Sequence, residues 1–332
     1  MNPFNHVNAA SMEEAVSLLQ RHGPEAKVIA GGQDLLFRLK KNLSRPKVLV
    51  NLKTVPGSSD ISFDEKDGLR LGALTHLAAI EDSPIVKERF PALAQAAGRV
   101  ASLQIRNMGT LGGNLCQEVW CWYLQSGFSC WKNGGTRCDL VTGDSLTYGS
   151  VLGGYRCLAV HPSDMAPALL ALDAKVDVIT PRGAKTLSIE ELLPGQTIVG
   201  GSLQSHGLQH DELISQVRVP LPAPNTRSLF LKYTLRQVWD FALASVAVVL
   251  VLKDGRCQDP RLVLGGIGTA PYRSREAEEL LIDNAITSEL AQEVGEVALR
   301  PARPLRTPNP NNYKVDLAKV LVKRSLLSLA GQ

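Results

Sequence analysis

The sequence predicts an α+β protein: a small N-terminal α/β unit, a larger α+β unit, and a C-terminal unit of three antiparallel strands with helices. Three observations carry this. The chain has 332 residues, more than one small core organises. Up to about residue 220, short apolar runs alternate with amphipathic ones, the pattern of interleaved strands and helices. At 220–225 three prolines fall in six residues, and beyond them strand-like runs come first and helices follow.

In chain order, Ser11-Met12-Glu13-Glu14 forms a capping box that starts a helix with Ala15, Leu18 and Leu19 on one face, and Gly23 ends it. Residues 27–30 read as a buried strand, and Gly31-Gly32-Gln33-Asp34 leads directly into a helix through Lys41. Residues 48–52 form another strand, and the polar stretch 55–66 is a linker to the second unit. Residues 69–75 alternate as a strand that ends near His76, and 83–102 is one helix with Leu93, Ala96, Ala97 and Val100 as its apolar face. Then come a strand at 157–160, a helix at 166–172, a strand at 175–180, a second capping box at Ser188-Ile189-Glu190-Glu191, a loop over 195–210 and a strand at 213–219. In the last unit, strands at 230–235, 243–252 and 262–267, with a tight turn at Asp254-Gly255, precede helices at 273–282, 288–299 and 313–328. The domains are therefore 1–222, in parts 1–58 and 59–222, and 226–332.

Chemistry concentrates in two glycine turns and one cysteine run. A strand, two glycines and a helix start at 27–36 put main-chain N–H groups where a pyrophosphate would sit, although a plain strand-to-helix turn has the same outline. Asn107-Met108-Gly109-Thr110-Leu111-Gly112-Gly113-Asn114 is a second such turn. It runs into Cys116, Cys121, Cys130, Cys138 and Cys157, five of the six cysteines. Four thiolates suit a 4Fe–4S cube or a structural zinc ion. The irregular gaps are unlike the paired spacing of zinc ribbons. Cys116 belongs by position to the glycine turn, so the metal ligands are read as Cys121, Cys130, Cys138 and Cys157 within an insertion at 116–157. Trp120, Trp122, Phe128 and Trp131 would exclude water from the centre, and Arg137 and Arg156 would offset its charge. The histidines have no metal-motif spacing, and no nucleophilic catalytic arrangement stands out, so no catalytic residue is assigned.

Ala30-Gly31-Gly32-Gln33-Asp34-Leu35-Leu36, then Ile105 to Asn114, then His161-Pro162-Ser163-Asp164, resemble the FAD-binding subunit of the molybdenum hydroxylases, the xanthine dehydrogenase family. The likeness spans nearly the whole chain. The cysteine insertion is similar to that of the minority of such subunits with their own 4Fe–4S cluster, the flavin subunits of 4-hydroxybenzoyl-CoA reductase and of certain aldehyde oxidoreductases. Shared features are Asn-Leu-Cys at 116, Cys121-Trp122-Tyr123, Phe128-Ser129-Cys130 and Cys157 to Val160. In that pattern the cysteine of Asn-Leu-Cys is not a ligand. The gap from Cys121 to Cys130 is shorter here and that from Cys138 to Cys157 longer, which leaves Cys116 in reserve.

The resemblance implies a two-part FAD-binding domain followed by a C-terminal flavoprotein domain. It implies that Ile29, Ala30, Gly31, Gly32, Gln33, Asp34 and Leu35 receive the pyrophosphate. Asn107, Gly109, Thr110, Gly112, Gly113 and Asn114 form the second flavin loop, with the Thr110 hydroxyl toward the phosphates. Asp164 reaches the ribityl or adenosine portion, Leu213 packs near the cofactor, and Lys232 and Thr75 lie beside it. Implied partners are a large molybdenum-cofactor subunit, a small 2Fe–2S subunit and a ferredoxin-like or other carrier, in a dimer of heterotrimers.

The expected function is electron transfer by an oxidoreductase subunit carrying FAD and a 4Fe–4S cluster. The competing readings are a non-redox nucleotide-binding module with a zinc clip and a stand-alone flavin enzyme. A net charge of +4 without basic runs, and only 5% aromatic residues, argue against nucleic-acid binding. The start of the chain lacks a secretory pattern and no apolar run reaches membrane-spanning length, so a cytoplasmic location is expected.

Overall fold

The computed structural model describes residues 1–141, 143, 148–199, 202–305 and 310–331. Part of the cysteine insertion (142 and 144–147) and the middle of the 195–210 segment (200–201) lie outside them.

The first unit is a three-stranded parallel sheet with Val48–Asn51 between Asn5–Asn8 and Ala26–Ile29. Its helix Met12–His22 starts where expected: the Ser11 side chain accepts from the Glu14 N–H, and Gly23 ends it at φ +54. The Glu14 carboxylate reaches back one residue further than a capping box requires, to Ala10 N at 2.6 Å.

The second unit is an antiparallel five-stranded sheet in the order Ile61–Asp64, Gly68–Gly72, Leu213–Val219, Lys175–Thr180, Gly183–Ser188. Two of these strands, Ile61–Asp64 within the expected linker and Gly183–Ser188, go beyond the expected elements. Both are edge strands whose exposed faces dilute the apolar signal. The single helix expected over 83–102 is two, Pro84–Arg89 and Pro91–Gly98. Pro91 lacks the N–H that would continue the first and suits the opening turn of the second. Leu93, Ala96, Ala97 and Val100 are buried as expected. The expected strand at 157–160 is extended coil without a ladder partner among the described residues, and the segment around 195–210 contains a small hairpin, Thr197–Val199 with Ser202–Gln204.

The C-terminal unit is an antiparallel sheet of Thr226–Tyr233, Ala244–Lys253 and Arg256–Gly265, with a two-residue fourth strand, Tyr272–Arg273. Asp254 (φ +51) and Gly255 (φ +75) form its tight turn. The apolar run at 244–250 is explained by burial on both faces. Ala244, Val246, Val248 and Leu250 pack against the helices Ser288–Ala298 and Tyr313–Ala330, while Ala247 and Val249 join the core of the second unit. That shared core seats the C-terminal sheet firmly beside the site. Among the described residues no helix is long and apolar enough to cross a membrane.

Candidate functional site

The two glycine turns meet. A Cβ added to Gly31 would lie 2.0 Å from the Met108 carbonyl oxygen, so only glycine lets the first turn touch the second. Gly32 is needed for another reason, its φ of +73. Among the described residues no acceptor takes the N–H groups of Gly31, Gly32 or Gln33. Three donors at the entrance to helix Leu35–Lys40 thus stay available to an anion. The second turn is fixed to strand Gly68–Gly72 and its extension: Leu111 N donates to Thr75 O (2.9 Å), Gly112 N to Ala73 O (2.8 Å) and Leu77 N to Gly109 O (3.0 Å). Thr110 caps the short helix that follows, accepting from Gly113 N at 3.2 Å, which leaves its hydroxyl proton to donate elsewhere.

Behind the turns, Ser163 Oγ donates to Asn114 Oδ1 at 2.5 Å and accepts from Ala166 N at 3.1 Å. Ser163 rather than Asp164 therefore caps helix Met165–Ala171. Asp164 instead forms a buried ion pair with Lys232 Nζ at 2.6 Å, their side chains 5% and 1% exposed. Burial raises the Asp164 carboxyl above its usual range and the Lys232 ammonium opposes the rise. Two residues expected near the cofactor thus neutralise each other. Lys232 is further held by the carbonyls of Arg99 (3.0 Å) and Asp240 (2.9 Å). Thr75 is fully buried against Asp60 O, and Leu213 packs in the core of the first unit. Ile29 and Leu35 belong to an apolar cluster under the first turn. Asn107 is exposed at the rim.

Next to this cradle lies a cavity lined by Cys121, Cys130, Cys138 and Cys157. Cys116 is not in its wall; it packs against the main core, where burial pushes its thiol up to about 12. Cys257 is buried under the C-terminal helices. Local structure explains how four distant cysteines meet. Gly135 N donates to Cys130 O at 2.8 Å, and a Cβ at Gly135 would lie 1.9 Å from Ser129 O, so this loop closes only around glycine. Gln196 clamps the Cys157 backbone, its Oε1 accepting from the Cys157 N–H at 3.0 Å and its Nε2 donating to the carbonyl. Burial raises the Cys157 thiol to about 11 and also raises Cys121. The N–H of Ala159 opposes this at the Cys157 sulfur, as do those of Leu124 and Tyr123 at the Cys121 sulfur.

The water-excluding aromatics differ from expectation. Of the expected four, only Trp131 lines the cavity; Tyr123, Val119, Leu124, Leu140 and Ala159 supply the rest of its apolar wall, and Lys132, Asp139 and Arg156 its charged part. Trp120 stacks between Phe37 and Phe241, and Trp122 and Phe128 are exposed. Arg156 lines the cavity and lies 5.1 Å over the Trp131 ring, whereas Arg137 points outward and pairs with Asp139 at 2.8 Å. Among the described residues no three Cys, His, Asp or Glu side chains gather as ligands for one ion. A tetrahedral zinc would need its thiolates at about 2.3 Å from one point.

Three polar residues lie at the seam between cradle and cavity: Glu118 and Lys132, which carried no sequence signal, and His161, which opens the His161-Pro162-Ser163-Asp164 motif. Glu118 donates its N–H to Asp34 Oδ2 (3.4 Å) and accepts from Lys132 Nζ at 3.0 Å. Lys132 also lines the cysteine cavity. Burial opposes ionisation of Glu118, but Lys132 and Arg38 hold its carboxyl below the usual range. His161 is fully buried and pushed down to about 4 by burial. Its Nδ1 accepts from Ser163 N, and its Nε2 has no partner among the described residues. Spacing could not reveal Glu118 and Lys132 because their contacts join residues up to 87 positions apart.

Residues 2–222 match the FAD binding domain in molybdopterin dehydrogenase, and residues 230–329 match the carbon monoxide dehydrogenase flavoprotein C-terminal domain. The chain is 31% identical to the aldehyde oxidoreductase FAD-binding subunit of Escherichia coli, over 100% of this chain and 98% of that one. It is 28% identical to the alpha subunit of the 6-hydroxypseudooxynicotine dehydrogenase complex of Paenarthrobacter nicotinovorans, over 97% and 93%. A solved carbon monoxide dehydrogenase from Hydrogenophaga pseudoflava, lacking the Mo-pyranopterin moiety of its cofactor, superimposes with a TM-score of 0.77 at 25% identity, covering 98% of this chain and 96% of that chain.

Fold, cradle and relatives together define the flavoprotein component of an oxidoreductase. The chain belongs to the family of FAD-binding medium subunits of the molybdenum hydroxylases, the xanthine dehydrogenase and carbon monoxide dehydrogenase group, and FAD is its cofactor.

Proposed function

We propose that this subunit conducts electrons between FAD and a 4Fe–4S cluster held by Cys121, Cys130, Cys138 and Cys157. The observation that carries the cluster is the shared cavity: four of six cysteines line one wall, and the other two pack elsewhere, Cys116 partly buried against the main core and Cys257 buried. Backbone N–H groups directed at the Cys121 and Cys157 sulfurs are the contacts that tune thiolate-bound clusters. The first turn, 29–35, would hold the FAD pyrophosphate through its available N–H donors. The second, 107–114, would close over the cofactor, with Thr110 donating its remaining proton and Thr75 and Leu213 supporting the loop from behind. Asp164 and Lys232 form a rigid, internally neutral pair beside the flavin. Bound FAD supplies the hydride and single-electron chemistry; the chain binds, orients and keeps water out.

Partner subunits would carry the molybdenum cofactor and two 2Fe–2S clusters, in a dimer of heterotrimers. An external carrier such as a ferredoxin would exchange electrons with the cysteine-bound cluster. Free, clustered thiols fit the reducing cytoplasm. The test is anaerobic purification of the complex. Flavin bands, a broad iron–sulfur shoulder, and iron and acid-labile sulfide beyond the 2Fe–2S complement are expected. That excess must vanish in Cys130→Ser while FAD stays. Equal iron in variant and parent overturns the assignment.

A further inference from the structure

Among the described residues Lys132 is the one lysine in the wall of the cysteine cavity, and its side chain is only 4% exposed. Each of its three ammonium protons has an acceptor: Leu203 O at 2.9 Å, Glu118 Oε2 at 3.0 Å and Ser205 Oγ at 3.4 Å. The ammonium is thus fixed by the hairpin strand Ser202–Gln204 and its flank on one side and by Glu118 on the other. With its donors used, it acts on the cavity through its field. Glu118 stands behind it, outside the cavity wall, and is tied by its own N–H to Asp34 of the first glycine turn. The pair is a largely buried dipole with its positive end in the cavity wall and its negative end outside it. In surroundings of low dielectric such a dipole acts strongly on a redox group that gains negative charge on reduction.

We propose that Lys132, positioned by Glu118, sets the reduction potential of the group held by the four cysteines. A fixed positive charge favours the more negative, reduced form and so raises the potential. The carboxylate behind it opposes that effect. The two side chains therefore push in opposite directions, which a merely structural role does not produce. This rests on the cluster assignment proposed above.

The experiment is a dye-mediated redox titration, followed by electron paramagnetic resonance, on the anaerobically purified complex of the parent and of Lys132→Met, Lys132→Arg and Glu118→Gln. Iron and labile sulfide are assayed in each. Lys132→Met is expected to shift the reduction equilibrium at least tenfold toward the oxidised form, about 59 mV downward for a one-electron couple. Lys132→Arg is expected to stay near the parent, and Glu118→Gln to move upward. Should Lys132→Met lose the cluster, Glu118→Gln alone decides: an upward shift supports the proposal, and an unmoved or lowered potential overturns it. A parent without the additional iron and sulfide overturns the cluster assignment and this proposal with it. A parent that has them, with potentials unmoved in both charge-removing variants, overturns this proposal alone.

Discussion

The contact between the two glycine turns yields the sharpest test. In Gly31→Ala the new Cβ would stand 2.0 Å from Met108 O, 2.9 Å from Met108 C and 3.1 Å from Gly109 Cα. All three atoms are backbone, so no side chain can swing aside. Reaching ordinary contact near 3.4 Å requires the turns to part by about 1.4 Å, the difference between 3.4 and 2.0. Overpacking of this kind costs about 1–3 kcal/mol. A cradle built from both turns loses much of that from cofactor affinity, and about 1.4 kcal/mol is tenfold. FAD should therefore bind the flavin-stripped variant at least tenfold more weakly, as followed by quenching of flavin fluorescence, with a thermal melt run in parallel. Gly127→Ala is the control. Gly127 has φ +79 but nothing within 4 Å of its would-be Cβ, so it should lose some stability and no FAD affinity. A folded Gly31→Ala variant with the parent's affinity would refute the account of the cradle.

Other outcomes follow from single groups. Lys232→Met should destabilise by about 3–5 kcal/mol in denaturant melts, because it strands the Asp164 carboxylate in a buried site; adding Asp164→Asn should recover part of the loss. Cys116→Ser and Cys257→Ser should keep the full iron content by colorimetric assay, since neither lines the cavity. Lys314 is 1% exposed, bonds only to the carbonyls of Tyr148 and Gly266 among the described residues, and burial lowers its pKa to about 7. Its folded pKa lies below the unfolded value, so the unfolded chain binds the extra proton between about pH 7 and 10.5. Stability should rise with pH through that window by up to about 1.4 kcal/mol per unit and stay flat below it. Melting temperatures of Lys314→Met measured from pH 6 to 9 should lack that component.

Much of this was legible where physics acts locally. Caps, glycine turns and helix-spaced apolar positions marked Met12–His22, Leu35–Lys40, Ser288–Ala298 and Tyr313–Ala330 because each signal lies within a few residues. The two glycine turns were legible for the same reason. Edge strands such as Ile61–Asp64 escaped because only alternate residues are half-buried, a pattern that four residues cannot separate from a polar turn. The split at Pro91 was readable, but the apolar run across it masked the break. The Glu118–Lys132 pair was not readable, since its contacts are made by the fold and not by spacing. Arg137 and Arg156 illustrate the same limit: both sit beside a cysteine in sequence, yet only Arg156 faces the cavity.

The cavity and the cradle are joined less tightly than their adjacency in sequence suggests. The cavity is braced by Gln196, by the hairpin flank through Lys132, and by residues 151–161, which bond to Ile267 and Gly268 of the C-terminal unit. The cradle is braced by strand Gly68–Gly72, by residues 73–77 and by Ser163. Among the described residues the polar links between them are few: Glu118 touches Asp34 on one side and Lys132 on the other, and Ser163 of the cradle donates its N–H to His161 Nδ1. A thiol lost from the cavity therefore leaves the flavin framework intact, whereas the Glu118–Lys132 contact carries charge across the seam. Emptying the cavity with Cys130→Ser should leave FAD affinity within about threefold of the parent, because the two sites have largely different supports and Cys130 makes none of the bonds that join them. A larger loss on flavin titration would mean that the Glu118–Asp34 and Ser163–His161 links couple the two sites.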